Sequence, residues 1–294
     1  MSYSYKWTSI SSGTTKNITK LTFGNNTLVA IGPTGLCLIS NDYGQTWSNG
    51  GNPGILPRAL TFGNGTFAAV GKSGTKVSIS SNNGTTWNTK TPPVALNNPI
   101  NGVAYGNNIF VGGGDYGYTI ISTDNGNSWS MGQTVANSID KLCFGNDTFV
   151  GAGSYGGIYI SSDGNNWVTK NTGYSSGCTS ICYGNNTFIL TKDNGDIMTS
   201  TNSGLNWTSR FSGNSNLIYG SCYGNGVFIL VGANGTILIS EDNGVTWTTS
   251  KSGTTNTLLG ASYVNNNFIL VGDNGTILKS PLYSIPSRGI NLFK

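Results

Sequence analysis

Seven copies of one four-stranded antiparallel unit, and hence an all-β fold, are what this sequence predicts, and three observations carry that expectation. The first is the spacing of tryptophan: Trp7, Trp47, Trp87, Trp129, Trp167, Trp207 and Trp247 stand 40, 40, 42, 38, 40 and 40 residues apart. The second is that every interval repeats the same order of short apolar runs and turns. The third is a content of 44 glycines in 294 residues, which supplies the tight turns such a repeat requires. Four short strands in about 40 residues describe one blade of a β-propeller.

The unit that ends at Trp247 shows the grammar. Gly220-Ser221-Cys222-Tyr223 is a short small and aromatic strand, and Gly224-Asn225-Gly226 is a hairpin turn of residues that tolerate positive φ. Val227-Phe228-Ile229-Leu230-Val231 is β-branched and aromatic, a buried strand. Gly232-Ala233-Asn234-Gly235 turns again into Thr236-Ile237-Leu238-Ile239-Ser240, and Glu241-Asp242-Asn243-Gly244 turns into Trp247-Thr248-Thr249, the outer strand. Six units of this kind run to Trp247. A seventh begins at Leu259 and reaches Thr276-Ile277-Leu278-Lys279-Ser280, where Pro281 stands in place of the next turn. Its missing outer strand is Lys6-Trp7-Thr8-Ser9 at the other end of the chain. The expectation is therefore a seven-bladed β-propeller closed by the N-terminal strand joining the last blade, which removes open sheet edges. It occupies residues 1–280, with residues 3–10 completing blade 7, and leaves 281–294 as a C-terminal tail. Ile290, Leu292 and Phe293 give that tail an apolar stripe and make it a possible docking segment.

Between third and fourth strands the chain repeats Ser-x-Asp-x-Gly-x-x-Trp, as in Ser40-Asn41-Asp42-Tyr43-Gly44-Gln45-Thr46-Trp47. Asp124 and Asp242 hold the acidic position in two further copies, Asn82 and Asn202 replace it in two more, and the copy around Asp163 is one residue shorter. The motif resembles the Asp-box, or bacterial neuraminidase repeat, of sialidase-like propellers, and the resemblance covers essentially the whole chain. It implies a structural role for Asp42, Asn82, Asp124, Asp163, Asn202 and Asp242: the side chain accepts hydrogen bonds from the turn, glycine supplies positive φ, and tryptophan packs between blades. It also places these turns at the periphery, away from the ligand-binding face.

Composition argues against chemistry. There is no histidine, so His-dependent acid–base and nucleophilic sites are excluded and the commonest transition-metal ligand is missing. Sialidases that resemble this repeat use three arginines, a tyrosine nucleophile paired with glutamate, and an acidic proton donor. The chain has three arginines, Arg58, Arg210 and Arg288, but they are scattered, and its one glutamate, Glu241, falls in an Asp-box turn on the wrong side. A tyrosine without a base is a weak nucleophile. Photosystem assembly factors share a similar repeat, with an arginine patch that three scattered arginines cannot build. The expectation is a non-enzyme with no cofactor and no metal.

The net charge of +4 is spread thinly, without the basic stripe of a nucleic-acid binder. No apolar run approaches the length of a membrane span, and the amino terminus has no signal-peptide core. Five cysteines, Cys37, Cys143, Cys178, Cys182 and Cys222, form no disulfide framework. Three of them share one inner-strand position with Thr22, Thr61, Ala104 and Ser262, where close approach requires small residues.

Binding is expected on the face that carries the second-to-third-strand loops and the blade-to-blade connections, because unit-to-unit variation concentrates there. Candidate ligand-binding residues are Arg58, Asp115, Tyr116, Tyr118, Tyr155, Tyr174, Lys192, Asp193 and Tyr219. Tyrosine faces with nearby polar groups suit sugars and equally suit protein contacts. The sequence thus reads as a non-catalytic recognition propeller, glycan- or receptor-binding, on a virion, phage particle or bacterial surface. The alternatives are a structural or assembly platform that docks other proteins, and a sialidase-like glycosidase.

Overall fold

The computed structural model describes residues 6–72, 76–92, 98–171, 173 and 176–281. Within them the chain forms seven four-stranded antiparallel sheets, six of which run in simple chain order from inner to outer strand. Blade 1 shows the plan: Lys20–Gly24 innermost, then Thr27–Ile31, Cys37–Ser40 and Ser48–Asn49 at the rim. The innermost strands of blades 2 to 6 are Pro57–Gly63, Ile100–Gly106, Lys141–Gly145, Cys178–Gly184 and Ile218–Gly224. The seventh sheet joins Leu258–Val264, Asn267–Gly272 and Ile277–Lys279 to the N-terminal strand Thr8–Ser9. Thr8 faces Lys279 and Ser9 faces Leu278, so the ring closes through its first strand as the sequence predicts. No helix among the described residues is long and apolar enough to cross a membrane.

Burial follows radius. Second strands such as Thr27–Ile31 and Val227–Gly232 are buried at every position because a neighbouring blade covers each face, whereas the outer strands present exposed residues. The core is accordingly seven apolar clusters, each lying between two blades. Trp129 packs with Ala68 and Ile79 of blade 2 and Phe110 of its own blade, and Trp247 packs with Ile189 of blade 5 and Phe228 of its own.

A second interlock runs around the inner strands. Each of the first six ends in glycine, and a Cβ there would meet an aromatic ring of the next blade: at Gly63 it would lie 2.0 Å from Tyr105, and at Gly145 2.1 Å from Tyr183. Only glycine admits that approach. The closing seam departs from the rule, since Val264 takes the glycine position and packs in the cluster that includes Phe23.

The hairpin turns between first and second strands place both central residues at positive φ, as at Asn25 and Asn26 or Asn185 and Asn186, the geometry of type I′ hairpins. Their asparagines also reach the Ser-x-Asp-type turn of the next blade: Asn25 Nδ2 donates to Asn83 Oδ1 at 2.9 Å, and Asn185 Nδ2 donates to Asn243 Oδ1 at 2.7 Å. These turns share one end of the ring with the Ser-x-Asp turns. The opposite end, called here the loop face, carries the second-to-third loops and the connections between blades.

Candidate functional site

On the loop face the central channel opens into a funnel of about 420 Å³, lined by Thr19, Lys20, Arg58, Asn101, Asp140, Lys141, Cys178, Thr179, Tyr219 and Leu259. The strand pairing explains how these side chains arrive there. In five blades the inner strand carries a bulge, between Pro57 and Ala59, Ile100 and Gly102, Cys178 and Ser180, Ile218 and Gly220, and Leu258 and Gly260. The extra residues are Arg58, Asn101, Thr179, Tyr219 and Leu259, and all five line the funnel. A bulge re-aims a side chain that the regular pleat would send elsewhere.

One residue deeper, the register puts small residues at one level in five blades: Ala59, Gly102, Ser180, Gly220 and Gly260. The equivalent positions in blades 1 and 4 are Lys20 and Lys141. Long basic side chains therefore stand where the packing otherwise asks for almost nothing. Lys20 is half-buried; removal from water, followed by repulsion from Lys141, pushes its pKa down to about 7.

A polar network stiffens the wall of the funnel. Arg58 Nη1 donates to Asn101 Oδ1, and Asn101, 2 % exposed, donates through Nδ2 to Asp115 Oδ1 at 2.7 Å and to Asp140 Oδ1 at 3.3 Å. The second Asp140 oxygen accepts from Ser138 at 3.3 Å and Ser154 at 3.2 Å. Asp140 is thus held by amide and hydroxyl donors. Among the described residues no carboxylate lies within 4.0 Å of Lys20, Arg58 or Lys141; the ion pair present is Lys192 with Asp196 at 3.5 Å. The Cys178 thiol, also in the wall, is pushed up to about 12 by burial, which leaves it protonated and unreactive at neutral pH.

Two tyrosines stand on the same face, outside the funnel wall. Asp115–Gly117 and Ser154–Gly156 form single 3-10 turns in adjacent blades, and their central residues, Tyr116 and Tyr155, lie at φ of 56° and 57°. Blades 6 and 7 build the same turn around Asn234 and Asn274. Asparagine tolerates this conformation, whereas for a tyrosine it costs about 1–2 kcal/mol. Tyr116 and Tyr155 are nevertheless 71 % and 72 % exposed, so no packing compensates.

The sequence candidates sort as follows. Arg58 and Tyr219 line the funnel, Asp115 belongs to its network, and Tyr116 and Tyr155 stand at the turn tips. Tyr118 is half-buried behind its turn, where its backbone pairs with Gly114 and Asp115. Asp193 is exposed and accepts from the Gly177 N–H at 3.0 Å, which pins a blade connection. Lys192 does not join them: it is 2 % exposed, and its ammonium faces Asp196 inside blade 5. Tyr174 and the tail 282–294 lie outside the described residues. Of the two arginines among the described residues, Arg58 reaches the funnel, whereas Arg210, on the outer strand of blade 5, donates to Thr199; Arg288 lies outside the described residues. Sequence reasoning missed Lys20, Lys141 and Asn101. The signal was available, since aligning the inner strands sets two lysines against Ala, Gly and Ser.

A wider cleft of about 900 Å³ runs along the seam between residues 9–16 and 252–256. Its wall is mostly Ser, Thr, Gly and Asn with Trp7, Ile10, Ile277 and Leu278, and Lys16 is its single charged residue, so it lacks convergent charge.

No family model and no curated protein matches the chain. Solved structures do. YCF48 bound to D1 peptide is 18 % identical with a TM-score of 0.75, over 95 % of this chain and 98 % of that one. A catalytically inactive virginiamycin B lyase from Staphylococcus aureus with quinupristin is 15 % identical with a TM-score of 0.82, over 95 % and 100 %. The WD40 propeller domain of Doa1 is 11 % identical with a TM-score of 0.74, over 96 % and 98 %. The likeness is one of fold. These propellers include an enzyme and non-enzymes alike, so fold alone does not assign chemistry.

Proposed function

We propose that this chain is a non-catalytic recognition propeller of Asp-box type that holds a glycan or a surface receptor on its loop face, displayed on a virion, phage particle or bacterial surface. The observation that carries the reading is the pair Tyr116 and Tyr155: exposed aromatic rings on adjacent blades, kept in a backbone conformation that the same turn elsewhere fills with asparagine. Strain retained without packing marks sites selected for contact. Aromatic faces beside Asp115 and the funnel's polar wall suit a sugar ring and its hydroxyls. Against catalysis stand the absence of histidine from the sequence and the position of Glu241 in a turn on the opposite face from Arg58.

The test uses substitutions that the repeat itself makes. Tyr116→Asn and Tyr155→Asn are expected to keep the fold and to abolish capture on a glycan array or by receptor-bearing cells. Glycan and cell binding absent from the wild-type chain, or unchanged in the double variant, refutes the reading.

A protein-docking platform is the second reading, supported by the peptide that the similar YCF48 propeller binds. Deleting residues 282–294 separates the two: lost assembly with intact glycan capture favours docking. A fluorogenic sialoside tests the glycosidase alternative.

A further inference from the structure

We infer that the mouth of the central channel is an anion-binding site, in which Lys20, Arg58 and Lys141 receive one oxyanion group, a carboxylate or a phosphate, from three different blades. The site shares the loop face with the tyrosines and takes in Arg58, but it uses neither Tyr116 nor Tyr155, so either assignment can fail without the other.

Three observations converge on it. The first is placement. The three cations line the same funnel of about 420 Å³, and Lys20 and Lys141 also line the narrower throat beneath it. Both lysines occupy a level that Ala59, Gly102, Ser180, Gly220 and Gly260 fill with little or no side chain, and both line the funnel and the throat.

The second is lack of compensation. Asp140 is the one carboxylate in the funnel wall, and its oxygens are taken by Asn101, Ser138 and Ser154. Asp115 stands behind Asn101. Arg58 is oriented by Asn101, a neutral acceptor that fixes the guanidinium and leaves its charge. Among the described residues, the groups facing Lys20 across the funnel are Arg58, Lys141, Asp140 and Tyr219, with uncharged Thr179 and Leu259 from blades 5 and 7. Cations outnumber anions there by three to one.

The third is energetic. A half-buried lysine whose proton affinity is lowered by burial and by Lys141 costs the fold stability while it is charged. Its folded pKa lies below the unfolded one. The cost is therefore full at low pH, shrinks as pH rises above the folded value, and vanishes near the ordinary lysine range. An anion between Lys20 and Lys141 removes this cost, because it favours the charged form that burial and Lys141 disfavour. Like charges gathered at a price in stability are a mark of a binding site.

The experiment combines thermal denaturation with titration at low salt, using inorganic phosphate, glucuronate and, as the uncharged control, glucose. Phosphate or glucuronate is expected to raise Tm in proportion to the logarithm of its concentration, with no response to glucose. Response to phosphate alone, to glucuronate alone or to both supports the site and distinguishes the source of the oxyanion. Lys20→Ser and Lys141→Ser, which install the blade 5 residue, are each expected to weaken the anion about tenfold. Without anion, the same variants are expected to keep or raise Tm at pH 6, with less gain at pH 10. No response to either anion overturns the inference, as does an undiminished response in the double variant. A fall in Tm of both single variants at pH 6 also overturns it, since the lysines would then be structural.

Discussion

Gly145 illustrates how much of this ring rests on single atoms. A methyl group there would sit 2.1 Å from the Tyr183 ring, and the ring cannot retreat because Phe188 packs against it at a centroid distance of 4.6 Å. Gly145→Ala is expected to destabilise by about 1–3 kcal/mol, as overpacking does. Urea denaturation should show a lower midpoint with an unchanged m-value; an unchanged midpoint would mean that the interlock is soft. The cysteines belong to the same scale. Burial raises the Cys182 thiol to about 12 and the Cys37 thiol to about 11, so both behave as small core residues, Cys182 at the inner-strand position shared with Thr22 and Ala104 and Cys37 on a third strand.

The element that recurs most faithfully is the Ser-x-Asp turn. Ser40 Oγ donates to Asp42 Oδ1 at 2.8 Å, while the N–H groups of Gln45 and Thr46 donate to the same oxygen at 3.0 and 2.9 Å. Asn82 accepts from Ser80 and from the Thr86 N–H at 3.0 Å each and turns its amide toward the Thr86 hydroxyl at 2.9 Å, so the neutral copy keeps the turn. The carboxylate copies pay with acid sensitivity. The Ser128 hydroxyl and N–H hold Asp124 down to about 2, and Asp163 lies well below the carboxylate range through Asn166. Their folded pKa values lie below the unfolded value near 4. Their contribution is thus complete above that pH and is lost as pH falls toward 2. Tm should decline over that window, and Asp124→Asn should flatten the decline while leaving Tm at pH 7 nearly unchanged. A decline of the same steepness in that variant would place the acid sensitivity elsewhere.

For the whole molecule the critical feature is closure. The last sheet obtains its outer strand from Thr8–Ser9, and Trp7 fills the cluster between blades 6 and 7 while donating through Nε1 to Ser250 Oγ at 3.1 Å. Trp7→Ala is expected to cost about 3–5 kcal/mol. Deleting residues 1–10 should expose the edge strand Ile277–Lys279 and produce concentration-dependent association in sedimentation. A monomeric truncated chain with wild-type Tm would show that the ring does not need its clasp.

The sequence by itself determined the blade count, the strand order within a blade, the turn chemistry and the closing strand, because each depends on residues close in the chain or on a period that repeats. Seven tryptophans at a near-constant spacing and Asn-rich turns at positive φ are local facts. Only the tertiary structure decided which side chains meet at the axis. Thr19 and Leu259 are 240 residues apart in number yet line one funnel, and the bulges that turn Arg58 and Asn101 inward leave no mark in composition or period. Lys192 and Lys20 look alike as lysines in a strand-bearing repeat; one ends the second strand of its blade, buried 3.5 Å from Asp196, and the other lies on an innermost strand and lines the funnel, a difference set by which strand carries it.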